Sequence, residues 1–333
     1  MKRKILVTLL AFCLIASLCV VGAAADGTTL PAAVNGVITL TENVDVSTTG
    51  ATLNNVVLDL NGHEIKAANT ANGNIDITGN VVIRDSSDEN ADGNGTGRIY
   101  TESSYSSTAA SGLIAINGSN SSLTIESGKI YTVIPGATSS SGGQFAVTVI
   151  NGGNFTMNGG KIEAGWYAVS GNGMNTGYSE IVINGGTLIS TVDYAIYHPH
   201  AGNLTVNGGV IQGAAGGISM NRGSLEVNDG TIISTGTGNT GTGADGTTGQ
   251  GNAAVHFQGE YDNVTAVFNG GTIESSGNAA LFQFEGPSDA SRDVKINAGT
   301  YTGNITTDAS TNLTISGENT VINYRQHALR AGC

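Results

Sequence analysis

The feature that most limits what this chain can become is an eight-residue unit, IVINGGTL at residues 181–188. Related octets stand at 123–130 (LTIESGKI), 155–162 (FTMNGGKI), 204–211 (LTVNGGVI), 225–232 (LEVNDGTI), 266–273 (AVFNGGTI) and 294–301 (VKINAGTY). Their final glycines, Gly128, Gly160, Gly186, Gly209, Gly230, Gly271 and Gly299, fall 21 to 41 residues apart. A fixed motif at an interval of just over twenty residues, stretched by insertions, is the mark of a solenoid. The apolar spacing is two, which excludes helical repeats. In Leu204-Thr205-Val206 the outer pair faces one way and Thr205 the other.

A second apolar stretch precedes each octet, as in QFAVTVING (144–152), YAIYHPHAG (194–202) and AAVHFQG (253–259). A third follows the glycine, as at 187–190 and 231–234. Three strands and three turns per repeat make one coil of a parallel β-helix. The expected fold is all-β: a single-stranded, right-handed parallel β-helix of about ten coils. At ~4.8 Å between paired strands the rod is about 45–50 Å long. Asn158, Asn184, Asn207, Asn228, Asn269 and Asn297 take the same place in successive coils. Stacked there, they form a structural ladder of side-chain hydrogen bonds. The glycine after each supplies the positive φ of a corner.

Composition fits this picture. Fifty glycines against four prolines, without a Gly-X-Y period, point to a turn-rich β structure. Residues 1–25 read as a secretory signal: Lys2, Arg3 and Lys4, then an apolar run, then Ala23-Ala24-Ala25. Residues 26–55 are expected to form an N-terminal cap, 56–322 the β-helix and 323–333 a C-terminal tail. Loss of the signal removes three cationic residues and two cysteines. Ten cationic residues then face 26 acidic ones, a net charge of −16, and Cys333 stands alone. Such a chain repels phosphate backbones, so nucleic acid is not an expected partner. No intramolecular disulfide is possible. No later segment is apolar enough to span a bilayer, so no membrane association is expected after signal removal.

With these residues in view, the chain resembles the secreted right-handed parallel β-helix proteins of the pectate-lyase-like superfamily. It is most similar to adhesin-like surface proteins of anaerobic gut bacteria. The residues that carry the resemblance are VVLDLNGHEI (56–65), VVIRDSSDENADGNGTGRI (81–99) and the NGG coils. The resemblance implies a secreted or cell-surface protein, and it raises an enzyme reading, since relatives include polysaccharide lyases and glycosidases. Those chemistries need charged groups stacked outward on neighbouring strands. The outward positions before the octet read as Thr148, Ser170, Tyr197, Ser219, His256 and Phe282. Those just after the glycine are Lys129, Lys161, Thr187, Val210, Thr231, Thr272 and Thr300. They offer no carboxylate pair and no base beside a carboxylate, so no catalytic residue is assigned.

Three other groups remain. Tyr197, His256 and Phe282 on the strands, with Tyr261 in a neighbouring turn, could stack on sugar rings. Tyr167 is expected to face the core. Asp88, Asn90 and Asp92 match the start of a calcium loop, but the twelfth position is Ile99 where an acid should close the site. A solvated loop is the better reading, and no cofactor is expected unless calcium binds there. His198-Pro199-His200 could set two imidazoles on one face, but shows no third ligand. The expected function is that of a secreted, non-enzymatic, adhesin-like or glycan-binding protein whose partner is a glycan or a host or bacterial surface component. A carbohydrate-active enzyme and a structural spacer are the alternatives.

Overall fold

The structure, a computed structural model, describes residues 27–68, 70, 72–102, 112–134, 145–171, 177–236, 252–276, 280–284, 289–306 and 309–323. Every regular element among them is a β-strand. Each coil lays down three strands, and each strand pairs in parallel with its counterparts one coil before and one coil after. Sheet 1 holds the strands that precede the octets, ten in all from Ala51–Leu53 to Asn304–Thr306. Sheet 2 holds the octets' own strands, eleven from Val37–Thr39 to Thr311–Ile315. Sheet 3 holds those after the corner glycine, eleven from Val44–Asp45 to Thr320–Asn323. This is a parallel β-helix of between ten and eleven coils, wound right-handed as parallel crossovers are.

The coiling begins earlier than the sequence suggests. Val37–Thr39, Val44–Asp45 and Ala51–Leu53 lie within the stretch expected to be a cap. They pair with Val56–Asp59, Glu64–Lys66 and Ile75–Ile77 and so form the first coil. Ile38, Val44 and Leu53 point into the same core as later coils, although this coil lacks the NGG signature. The stretch expected to be a leader (1–25), Asp26 and the end of the expected tail (324–333) lie outside the described residues.

Constant register builds the core. In sheet 2, Leu58, Ile83, Ile125, Met157, Ile183, Val206, Val227, Phe268 and Ile296 are successive partners, and all are buried. Each such side chain contributes roughly 1.5–3 kcal/mol through burial. Sheet 1 differs in one respect. Many of its strands send two adjacent residues inward where they leave the corner, as with Ala146-Val147, Ala168-Val169, Ala195-Ile196, Ala254-Val255 and Leu281-Phe282. Strict alternation starts only at the second of each pair.

The corner between sheets 2 and 3 is the most regular part. The final glycine of each octet has φ between 76° and 119°. The residue before it does not, which is why Ser127, Asp229 and Ala298 can stand there. Beside this corner the asparagine amides form a continuous chain. Asn184 Nδ2 donates to Asn158 Oδ1 (2.8 Å), Asn207 to Asn184 (2.8 Å), Asn228 to Asn207, Asn269 to Asn228 and Asn297 to Asn269 (each 2.9 Å). At the lower end Asn158 Nδ2 donates to Glu126 Oε1 at 2.9 Å. A carboxylate only accepts, so Glu126 sets the direction of every amide above it.

Asn207→Ala removes two rungs at an exposed site and is expected to lower stability by about 1–2 kcal/mol in urea unfolding. Gly209→Ala should cost more. Its φ is +82°, and an added Cβ would meet Gly186 O at 2.7 Å. Equal midpoints for wild type and Gly209→Ala would contradict this account of the corner.

Candidate functional site

The outer face of sheet 1 is not open to solvent. Thr148, Ser170, Tyr197, Ser219 and His256 form one register row. Each lies between inward neighbours, yet Thr148, Ser170, Ser219 and His256 are buried and only Tyr197 is half-buried. Phe282 is not in this row. It pairs with Val255, and Gln283 is the partner of His256. Phe282 therefore packs inside, within 5.0 Å of Phe268 by ring centroids, and cannot contact a glycan.

Aromatic rings from this region cover one another. Phe145 stacks on Tyr167 (5.4 Å), Tyr167 on Tyr197 (5.1 Å), and Trp166 donates from Nε1 to Asp193 Oδ2 at 3.0 Å. Tyr167 belongs to this second cluster with Phe145 and Tyr194, not to the main core. Tyr194 lies against the bare backbone of Gly216 and reaches His256, ring to ring at 5.9 Å. Tyr197 Oη and Tyr261 Oη are 3.2 Å apart. The structure thus brings Tyr197 and Tyr261 together, buries His256 against Tyr194, and turns Phe282 inward. Tyr261 also borders a polar depression with Glu260, Asp262, Asn263 and Asp289. Asp262 is paired there with Arg222 (3.3 Å), and Asn263 Oδ1 accepts from the Ser291 amide (2.7 Å).

The acidic loop is tied down by its own aspartates. Asp88 Oδ2 accepts from the amides of Gly93 (2.8 Å) and Gly128 (2.9 Å), and Oδ1 from Asp92 N (3.3 Å). Asp85 accepts from the amides of Gly62 and Gly97, each at 2.8 Å. Asp92 Oδ1 accepts from Asn94 N, and Asn90 is exposed. Asp88 and Asp92 thus spend oxygens on the loop's own backbone. Asp88 satisfies three backbone amides. Among the described residues no group of three or more His, Cys, Asp or Glu is placed to hold a metal.

Sheet 3 carries what the sequence reading passed over. Counting only the first residue after each glycine gives Lys129 and Lys161, but the residue two further on shares that face. Tyr100, Tyr131 and Glu163 are successive partners there, beside Arg98, Lys129 and Lys161. Glu163 Oε2 lies 3.3 Å from Lys129 Nζ and 3.0 Å from Lys161 Nζ, so a base does stand beside a carboxylate. Burial alone would raise the Glu163 pKa. The Lys161 hydrogen bond and the charges of Lys129 and Lys161 outweigh it and hold Glu163 below the usual range. The Arg98 guanidinium sits 4.3 Å over the Tyr100 ring, and Lys129 Nζ 4.6 Å over Tyr131. Burial, with Glu64 and Glu102 nearby, pushes the Tyr100 phenol above its ordinary value, so it remains a donor. Arg98, Tyr100, Thr101, Glu102, Tyr131, Val133 and Ile134 line a shallow groove, apolar on its floor and charged at its rim.

No protein-family model, curated protein or solved structure matches this chain.

His256 gives this region a pH signature. Burial, reinforced by the Arg292 charge, pushes its pKa from 6.5 down to about 4. The unfolded chain takes up this proton below pH 6.5 and the folded chain does not. Stability is therefore full above pH 6.5 and falls as pH drops toward 4, by about 3 kcal/mol for this group. Urea unfolding of wild type and His256→Gln at pH 7 and pH 4.5 should show the variant losing less stability on acidification. Identical losses would mean that His256 titrates normally in the fold.

Proposed function

We propose that this chain is a secreted, non-enzymatic β-helix that holds a glycan on the outer face of sheet 3. Its resemblance to adhesin-like members of the pectate-lyase-like superfamily supports this, and a host or bacterial surface glycan is the partner. The observation that carries the reading is the Tyr100–Tyr131 groove. Two phenol rings one rung apart, about 4.8 Å, match the scale of a sugar ring. Val133 and Ile134 supply apolar contact, while Arg98 and Glu102 offer a donor and an acceptor for hydroxyls. The rings stand on a sheet paired on both sides, so little ordering entropy is lost on binding. Charge balance favours the same face. Lys66, Arg98, Lys129 and Lys161 are each paired here with a carboxylate (Lys66 with Asp45 and Glu102, Arg98 with Glu64, Lys129 and Lys161 with Glu163), so this face is close to neutral in an acidic protein and suits an uncharged glycan. Catalysis is disfavoured because Glu163, kept ionised by two lysines, is a poor proton donor.

A glycan array with the purified protein, followed by calorimetry on the best ligand, tests this. Tyr100→Ala with Tyr131→Ala should weaken binding at least ten-fold, whereas Tyr197→Ala should change it less than two-fold. The opposite ranking would move the site to sheet 1. No binding to any glycan would favour a spacer. Release of reducing ends or unsaturated uronides, abolished by Glu163→Gln, would make the protein an enzyme.

A further inference from the structure

A second polar site lies inside the solenoid, at the corner where sheet 1 passes to sheet 2. His198 pairs with the core residue Met220 and so points inward. His200 packs against Gly171 of the coil below, where any side chain would collide with its imidazole. Asn221, in the coil above, donates its backbone amide to His198 O at 2.9 Å. Ser179 lies against Gly202. All four residues are fully buried. Gly171 leaves room for the His200 ring and Gly223 for that of His198.

Several buried polar side-chain atoms of these four residues lack a well-formed hydrogen bond to protein. They are His198 Nε2, Ser179 Oγ and both side-chain atoms of Asn221, while the His200 ring keeps only a loose approach to the Val149 backbone, outside good hydrogen-bond geometry. His198 Nδ1 is 3.1 Å from Arg222 O, so the proton sits on Nδ1 and the Nε2 lone pair is free. A backbone carbonyl that fixes the far nitrogen in this way is the usual support of a metal-binding histidine. The two imidazoles meet edge to face, with centroids 5.4 Å apart, close to the separation of two rings sharing one tetrahedral ion. Burial keeps both neutral, His198 at about 3 and His200 at about 4.

We propose that this corner binds one borderline divalent transition-metal cation, of the zinc, cobalt or copper class, through His198 and His200. Asn221 Oδ1 and Ser179 Oγ complete the donor set. Imidazole nitrogen selects these ions over calcium and magnesium. The chamber is closed, so the ion enters as the coils form. This site lies in the interior and does not depend on the glycan reading of sheet 3.

The test is refolding of the purified protein from guanidinium with cobalt or zinc, in a His327→Ala, Cys333→Ser background that removes soft ligands of the tail. We expect about one ion per chain to survive gel filtration, a visible cobalt spectrum of a four-coordinate centre, and a Tm several degrees above that of protein refolded with chelator. His200→Ala should lower retained metal at least ten-fold, and His63→Ala should not. If His200→Ala does not fold, Asn221→Asp serves, since a carboxylate beside a bound cation should raise retention and make Tm more metal-dependent. Wild type that retains no metal, as a chamber holding only water would, overturns the proposal. So do a His200→Ala variant that retains as much as wild type and an Asn221→Asp variant whose Tm ignores metal.

Discussion

Everything in this molecule depends on parallel pairing at constant register from coil to coil. A parallel rung places each residue directly above its counterpart, so a motif written once per coil becomes a column. Apolar residues become a continuous core, glycines become a line of corners, and asparagines become a hydrogen-bonded chain running from Glu126 to Asn297. A register slip of one residue would break all three columns together, because it would exchange inner and outer faces along the whole strand. That shared penalty enforces the pairing in a protein with no helix among its described residues.

Small residues do more than turn the chain. On the outer side of sheet 1, Gly216 and Ser219 leave a shelf on which Tyr194 and His256 lie flat. On the inner side, Gly171 and Gly223 leave room for the rings of His200 and His198. Both are departures from the stacking of like on like, and both collect polar atoms that the protein does not satisfy. An unpaired buried polar group costs about 1–3 kcal/mol. Several in one corner imply a polar occupant, whereas the regular corner needs none because its ladder is closed at both ends by Glu126 and Ser316.

How much was legible in the sequence follows from these columns. The octets announce their strands, and the NGG corner announces its conformation, because both are local. The face of Phe282 was not legible. The segment Ala280–Phe284 is apolar at 280, 281, 282 and 284, so only Gln283 marks the outward phase, and the adjacent inward pair Leu281-Phe282 masks it. Only pairing with Val255 settles the matter. Tyr167 was missed for a related reason: two consecutive residues turn inward at that corner, so simple alternation assigns the one before them to the wrong side. The groove on sheet 3 was written plainly as Tyr100 and Tyr131, two residues past the usual landmark, but its partners are 31 residues apart in the chain.

The sequence by itself determined the architecture, since a period of two within each strand and a repeat of just over twenty residues leave one economical way to bury the apolar face. It also determined which residues form the asparagine ladder, because their spacing from the corner glycine never varies. The tertiary structure alone decided which aromatic rings reach solvent and which carboxylates meet lysines. It alone decided that His198 and His200 lie inside. These outcomes depend on what the neighbouring coils place above and below a residue, and insertions of different length between the octets hide that from any reading along the chain.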